Sequence, residues 1–180
     1  EAADELTVRV NMMSQPVGRG MDLAYGRAAR DRFRGPFVSF SGFNRMTDRS
    51  IASGMAELKQ PYLSDPTSRC AVPVEWDLIE RELFAADEAG FRFSLHCQGD
   101  GAVGHVVDLY GRCRRDASGR LVNRHAITDM ELSDPEDLVR LGAMGGICEV
   151  YPQIQSLDRR DDLVGMVMRQ VGPTRFERYW

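Results

Sequence analysis

Lysine is all but missing from this sequence, since Lys59 alone accompanies the arginines among 23 basic residues. These are interspersed with 27 acidic residues, for a net charge of −4. No stretch concentrates positive charge as a phosphate-tracking protein does. The densest run, Arg112 to Arg115 around Cys113, reads as a solvated face, so nucleic acid is not an expected partner. Long apolar runs are also missing: nothing approaches the roughly 18 residues of a membrane span, and Glu1-Ala2-Ala3-Asp4-Glu5 is acidic where a secretory leader is basic and then apolar. No membrane association is expected. The four cysteines, Cys70, Cys97, Cys113 and Cys148, form no C-x-x-C pair and no zinc-ligand spacing, which argues against a disulfide framework and for a reduced, cytoplasmic chain. Cys97 and Cys148 lie in apolar strand-like runs, where a free thiol behaves as a small hydrophobe. Repeats, linkers and low-complexity tracts are lacking as well.

What is present is the composition of a globular domain, 43% hydrophobic and 28% charged over 180 residues, long enough for one core and too short for two. The periodicity alternates. Leu6 to Val10 alternates as a strand, Met21 to Arg32 has helical spacing, and Phe37 to Phe43 is a second strand. Asn44 to Pro73, with Gly54, Pro61, Pro66 and Pro73, holds no period and reads as a long loop of the functional or disordered kind. Trp76, Ile79, Leu83, Phe84 and Ala86 then mark a helix closed by Gly90. Phe91 to Leu95 is a strand, a helix begins at Asp100 with Gly119 beyond it, and Leu121 to Ile127 is a strand. Ser133-Asp134-Pro135-Glu136 carries the signature of a helix start, with Glu136 at the capping-box position. That helix ends at Leu141-Gly142. Ile147 to Tyr151 is a further strand, and Asp161 to Gln170 a last helix with Leu163, Val164, Val167 and Met168 inward. Met144, Met166 and Met168 are read as core. Strand-helix alternation of this kind predicts an α/β fold of parallel (β/α) units in one domain, either doubly wound or part of an eight-stranded barrel. In both, chemistry gathers at the C-terminal strand ends.

The three histidines divide by position. His96 ends an apolar strand and opens a sharp turn, Cys97-Gln98-Gly99-Asp100, where rigid backbone mounts ligands and bases; a histidine satisfied in the core is the plainer reading. Asp100 is expected as a helix N-cap. His125 sits in the next strand, followed by Thr128 and Asp129, a carboxylate able to join His96 on a metal, act as a base or cap the loop. His105 is expected on a helix surface. Arg45, Arg49 and Lys59 in the long loop are read as solvated. Glu149 and Gln153 flank the last strand without an assigned role.

His96-Cys97-Gln98-Gly99-Asp100-Gly101-Ala102-Val103 resembles the H-A-x-G-D-R-A-V motif of the amidohydrolase superfamily, in the branch called amidohydrolase family 3, with its N-substituted formamide deformylase-like enzymes. Leu6-Thr7-Val8-Arg9-Val10, Pro61-Tyr62-Leu63-Ser64-Asp65, Arg124-His125-Ala126-Ile127, Leu141-Gly142, Pro152-Gln153, Gly172-Pro173-Thr174-Arg175 and Tyr179-Trp180 continue the likeness in order. The resemblance implies residues 1–180 as about strands three to seven of a TIM-type (β/α)8 barrel. It further implies a divalent metal, most simply zinc, and hydrolysis of amide or formamide-type C–N bonds in a small molecule by metal-activated water. His96 then corresponds to a metal ligand, and Asp129 falls where the family has its next histidine, as a substitute ligand and catalytic proton acceptor. Thr128 replaces the family's glutamate there. The lysine or acidic bridging ligand of the family's fourth strand falls on Ser39, the D-G after it near Phe43-Asn44, and the first-strand H-x-H pair and eighth-strand aspartate have no counterpart. These departures motivate an alternative, a catalytically degenerate pseudoenzyme domain with a binding or regulatory role, and the 180 residues alone are expected to be inactive. Open barrel edges predict a homo-oligomer.

Overall fold

The computed structural model describes residues 7–16, 18–151 and 160–179. Five strands, β1 (Val10–Ser14), β2 (Val38–Met46), β3 (Arg92–His96), β4 (Ala126–Thr128) and β5 (Ile147–Glu149), form one sheet in the order β1-β2-β3-β4-β5, and every neighbouring pair is parallel. Between them lie α1 (Leu23–Arg32), α2 (Trp76–Glu88), α3 (Asp100–Gly111) and α4 (Pro135–Ala143), followed by α5 (Arg160–Val171) and α6 (Pro173–Phe176). The predicted parallel (β/α) units are therefore present. The strand order runs without a reversal, as in the wall of a barrel and unlike a doubly wound sheet, whose order turns back at a switch point.

Side-chain alternation sorts the strands into two faces. Along β3 and the residue after it, Phe93, Leu95 and Cys97 point into the helix layer and are fully buried, whereas Arg92, Ser94 and His96 point the other way. Phe40, Phe43, Phe91 and Phe93 form the aromatic centre of that helix-facing core, with Phe43 and Phe91 edge to face at 5.4 Å. The opposite face is polar: Asn11 bonds both Ser39 and Ser41, and Arg92 on β3 pairs with Glu149 on β5.

Tyr110 ties helix to sheet. Its buried hydroxyl donates toward the carbonyls of Phe93 (3.0 Å) and Ala126 (2.6 Å), joining β3 to β4 from α3.

Several local expectations are corrected. The first strand begins at Val10, where the expected one ends, because Val10 to Ser14 is the stretch registered against β2; Leu6 lies outside the described residues. β4 contains only Ala126 to Thr128, so His125 precedes it. Asp100 is the first residue of α3, whose N-cap is Gly99. The capping box at α4 does not form: Asp134 takes the N-cap position without a side-chain cap bond, its carboxylate engaged by Lys59 at 2.5 Å and by Arg178. Met144 is core, but Met166 and Met168 are 40% and 37% exposed, and Cys148 is exposed on β5. His105 is half-buried and stacked on Trp76 with ring centroids 3.9 Å apart.

The segment between β2 and α2 is irregular, as expected, yet it has its own core. Ile51, Ala56, Leu58 and Tyr62 pack with Leu132, Val167, Val171 and Tyr179 over the C-terminal ends of the strands. Among the described residues no helix is long and apolar enough to cross a membrane.

Candidate functional site

β3 ends at His96 and β4 runs directly into Asp129, so adjacent parallel strands deliver an imidazole and a carboxylate to the same edge of the sheet. His96 Nε2 lies 2.9 Å from Asp129 Oδ2, which also accepts from Gln98 Nε2 at 3.0 Å. Asp129 holds a left-handed backbone with φ of 53°, a conformation costly for a residue with a Cβ and concentrated at sites that must aim a side chain. Burial pulls the His96 pKa down, but the hydrogen bond and charge of Asp129 and the charge of Asp48 outweigh it, and the net shift is upward. The His96 contact in turn holds Asp129 below the usual carboxylate range.

Behind His96 stands Asp48, a residue that sequence reading assigned no role. Its buried carboxylate accepts the backbone N–H groups of Glu57, Gln98 and Gly99, each at 2.9 Å, and Oδ1 lies 3.9 Å from His96 Nδ1. Desolvation pushes Asp48 up to about 6, against the pull of those three donors and of His96. The tie is reinforced by Glu57, whose carbonyl accepts from Gly101 (2.9 Å) and Ala102 (3.2 Å), and by Asp100, which accepts from the Lys59 amide. The G-D-G segment after His96 therefore serves to dock the long loop. With the first amides of α3 engaged by Glu57, they do not form an open anion site.

His96, Asp129 and Thr128 line a pocket of about 280 Å³ with Asn44, Gln15, Met46 and Tyr151. The polar β2 residue at this pocket is Asn44; Ser39, where the resemblance places the bridging ligand, lies earlier on β2 and bonds Asn11. Four buried atoms in this neighbourhood lack a hydrogen-bond partner: His96 Nδ1, Asp129 Oδ1, Asn44 Oδ1 and Gln98 Oε1. Three are acceptors only, and the imidazole nitrogen accepts when unprotonated. Glu131, close behind, is pushed up to about 7 by burial, although Tyr179 donates to it. Glu131 had no role assigned from the sequence, and Asn44 entered only as a position near which the resemblance places the family's D-G; the register of β2 is what brings Asn44 here.

His125 does not join this group. It lies at the opposite end of β4, where His125, Asp87 and Cys113 bring potential metal-binding atoms within 4.8 Å of one another. The His125 and Asp87 atoms are already engaged. The amide of Phe93 donates to His125 Nδ1 at 3.0 Å, leaving Nε2 to donate to Asp87 at 2.9 Å. Asp87 also accepts from Asn123 and from the Arg114 amide. Burial pushes the Cys113 thiol up to about 12, far from the thiolate that a metal requires. This cluster is built as a structural tie.

No family profile matches the chain, and neither does any curated protein. Two solved structures do match. An uncharacterized metal-dependent hydrolase from Pyrococcus furiosus superimposes with a TM-score of 0.72 at 18% identity, over 100% of this chain and 35% of that one. An uncharacterized metal-dependent hydrolase from Pyrococcus horikoshii OT3 gives 0.72 at 19% identity, over 99% of this chain and 34% of its own. The chain thus spans about a third of the length of these structures. At such identities the likeness concerns the fold.

Proposed function

We propose that the chain carries part of the active site of a metal-dependent hydrolase, with a divalent cation held between His96 and Asp129. The observation that carries this reading is the set of buried acceptors without donors at the C-terminal strand ends. Leaving a buried polar atom unpaired costs about 1–3 kcal/mol, and a cation satisfies several lone pairs at once. An imidazole, a carboxylate and the amide oxygen of Asn44 make a nitrogen–oxygen donor set, suited to zinc and also to manganese or iron. The likeness to two metal-dependent hydrolases supports the same reading.

The finer assignment, an amidohydrolase of family 3 type acting on amide or formamide-type C–N bonds of a small molecule, rests on the ordered motifs around His96, Pro61-Tyr62 and His125. A divalent cation would supply water with a pKa lowered toward ~7 and polarise the substrate carbonyl. The chain's own residues do the rest. Asp129 spends Oδ2 on His96 and Gln98, which leaves Oδ1 as the oxygen that would either ligate the cation or accept a proton from the attacking water. Gln98 fixes the carboxylate plane, while Thr47 bonds the His96 carbonyl and holds that strand end in place. Met46 and Tyr151 wall the pocket.

The test is metal content by elemental mass spectrometry after exhaustive dialysis. Near-stoichiometric zinc, manganese or iron is expected, falling at least tenfold in His96→Ala, since outer partners alone are worth 10–100-fold in metal affinity. A folded wild-type chain that retains no metal, in zinc-supplemented medium as well, overturns this reading in favour of the degenerate binding domain.

A further inference from the structure

A second pocket, about 350 Å³, lies on the helix-facing side of the end of β2. It shares Gln15 and Met46 with the His96 pocket, so the two are neighbouring chambers separated by a common wall. Met55, Val72 and Ile79 give it apolar walls, and two arginines line it, Arg45 and Arg49.

Arg45 is unusual for a buried arginine. Alternation turns it away from Asn44 and Met46 into the helix layer, where its side chain is only 14% exposed. Its Nη1 sits 2.8 Å from Glu82 Oε2, yet neither atom completes a hydrogen bond with any described residue. A buried arginine normally spends its five donors in a planar fork on a carboxylate or carbonyls. Here the ion pair balances the charge, yet Nη1 donates no hydrogen bond to a described residue. Arg49 is exposed, with no side-chain partner among the described residues.

Most of the acidic oxygens around the pocket are spent elsewhere. Asp48 is turned onto three backbone amides, Glu82 gives Oε1 to the Met21 amide at 2.8 Å, and Glu75 stands exposed at the rim. A planar oxyanion entering the pocket meets two arginines between apolar walls, and Glu82 Oε2, which accepts no hydrogen bond, is offset by Arg45 Nη1 at 2.8 Å. Two N–H donors in a fixed fork match the two oxygens of a carboxylate, and charge-assisted bonds of this kind are about twice as strong as neutral ones.

We propose that this pocket is a recognition subsite for a carboxylate, and that the molecule handled at His96 carries one, with Arg45 as the buried anchor and Arg49 as the entry charge. The part concerning His96 rests on the hydrolase reading above; the subsite itself does not.

The experiment is a pair of titrations monitored by NMR chemical shifts, using succinamate, which has an amide at one end and a carboxylate at the other, and succinamide, its neutral counterpart of the same length. Succinamate is expected to bind the wild-type chain at least tenfold more tightly than succinamide, about 1.4 kcal/mol, and to shift the side-chain Nε resonance of Arg45. Arg49→Gln is expected to weaken succinamate severalfold and to sharpen no preference for succinamide. Because Arg45→Gln alone strands the Glu82 carboxylate, the decisive variant is the double substitution Arg45→Gln with Glu82→Gln, which removes both charges together and should abolish the preference. Equal binding of the two probes, no saturable binding of succinamate, or an undiminished preference in a folded double variant would each overturn the subsite. Carboxylate-selective binding in a chain whose metal content ignores His96→Ala would keep the subsite and remove the hydrolase reading.

Discussion

The carbonyl oxygen of Glu57 fills the space that a side chain on Gly99 would need: a Cβ built there would stand 2.1 Å from that oxygen. The long loop is thus pressed against the turn that mounts His96, backbone to backbone, and Gly101 faces the same carbonyl at 2.8 Å.

Gly99→Ala is therefore expected to destabilise the fold by about 3 kcal/mol or more, the range of substitutions that force packed backbone apart. Gly111, at the end of α3, has nothing within 4 Å of its Cβ position. Gly111→Ala should be neutral or stabilising by up to about 1 kcal/mol, because alanine is the better helix former. Urea denaturation of the two variants checks the contrast, and equal effects would mean that the loop does not dock as described.

Asp48→Asn tests the other half of this docking. The carboxylate serves three amides with two oxygens, whereas an asparagine offers one oxygen and places an NH₂ against donors. A loss of about 2–4 kcal/mol is expected from the amides left unpaired. Hydrogen exchange provides the specific readout: the amides of Glu57, Gln98 and Gly99 should lose protection before those of β3. Uniform deprotection across the chain would contradict a local tie.

The strand-helix order was legible in the sequence because both periods are strong in the segments that face the helix layer, such as Phe93-Leu95-Cys97 and Val103-Val106-Val107-Tyr110. Boundaries were less so. Leu121 to Ile127 reads as a strand on composition, yet the Arg124 backbone turns left-handed with φ of 47°, and only Ala126 to Thr128 pair with both neighbours. His96 and Asp129 were legible because strand ends are fixed by the pattern before them. Asn44 and Asp48 were not: one depends on the register of β2, the other on where an aperiodic loop folds back.

Tyr110→Phe isolates one side-chain contribution to the wall. Removing the hydroxyl leaves the carbonyls of Phe93 and Ala126 without a donor that reaches both, at no change in shape. A loss of about 1–2 kcal/mol is expected, measured by thermal unfolding. A neutral result would mean that the sheet's own ladder satisfies both carbonyls.

The opposite end of β4 offers the discriminating pair of substitutions. His125 is fully buried and donates to Asp87, which is 3% exposed. His125→Ala strands that carboxylate and should cost about 3 kcal/mol or more, in line with breaking a buried pair by removing one partner. Although burial pushes Asp87 upward, the bonds from His125, Arg114 and Asn123 bring its pKa below the usual value. A carboxyl with a depressed folded pKa contributes stability that is complete above its unfolded pKa of about 3.9 and is lost as pH falls through the folded value. The stability gap between wild type and Asp87→Asn should accordingly stay constant near neutrality and narrow below about pH 4, as read from urea midpoints across pH. Metal content should separate the two ends of the sheet: unchanged in a folded His125→Ala chain under mild conditions, lost in His96→Ala. The reverse result would transfer the metal from the strand ends at Asp129 to the cluster of Asp87, Cys113 and His125, and with it the place where any hydrolysis occurs.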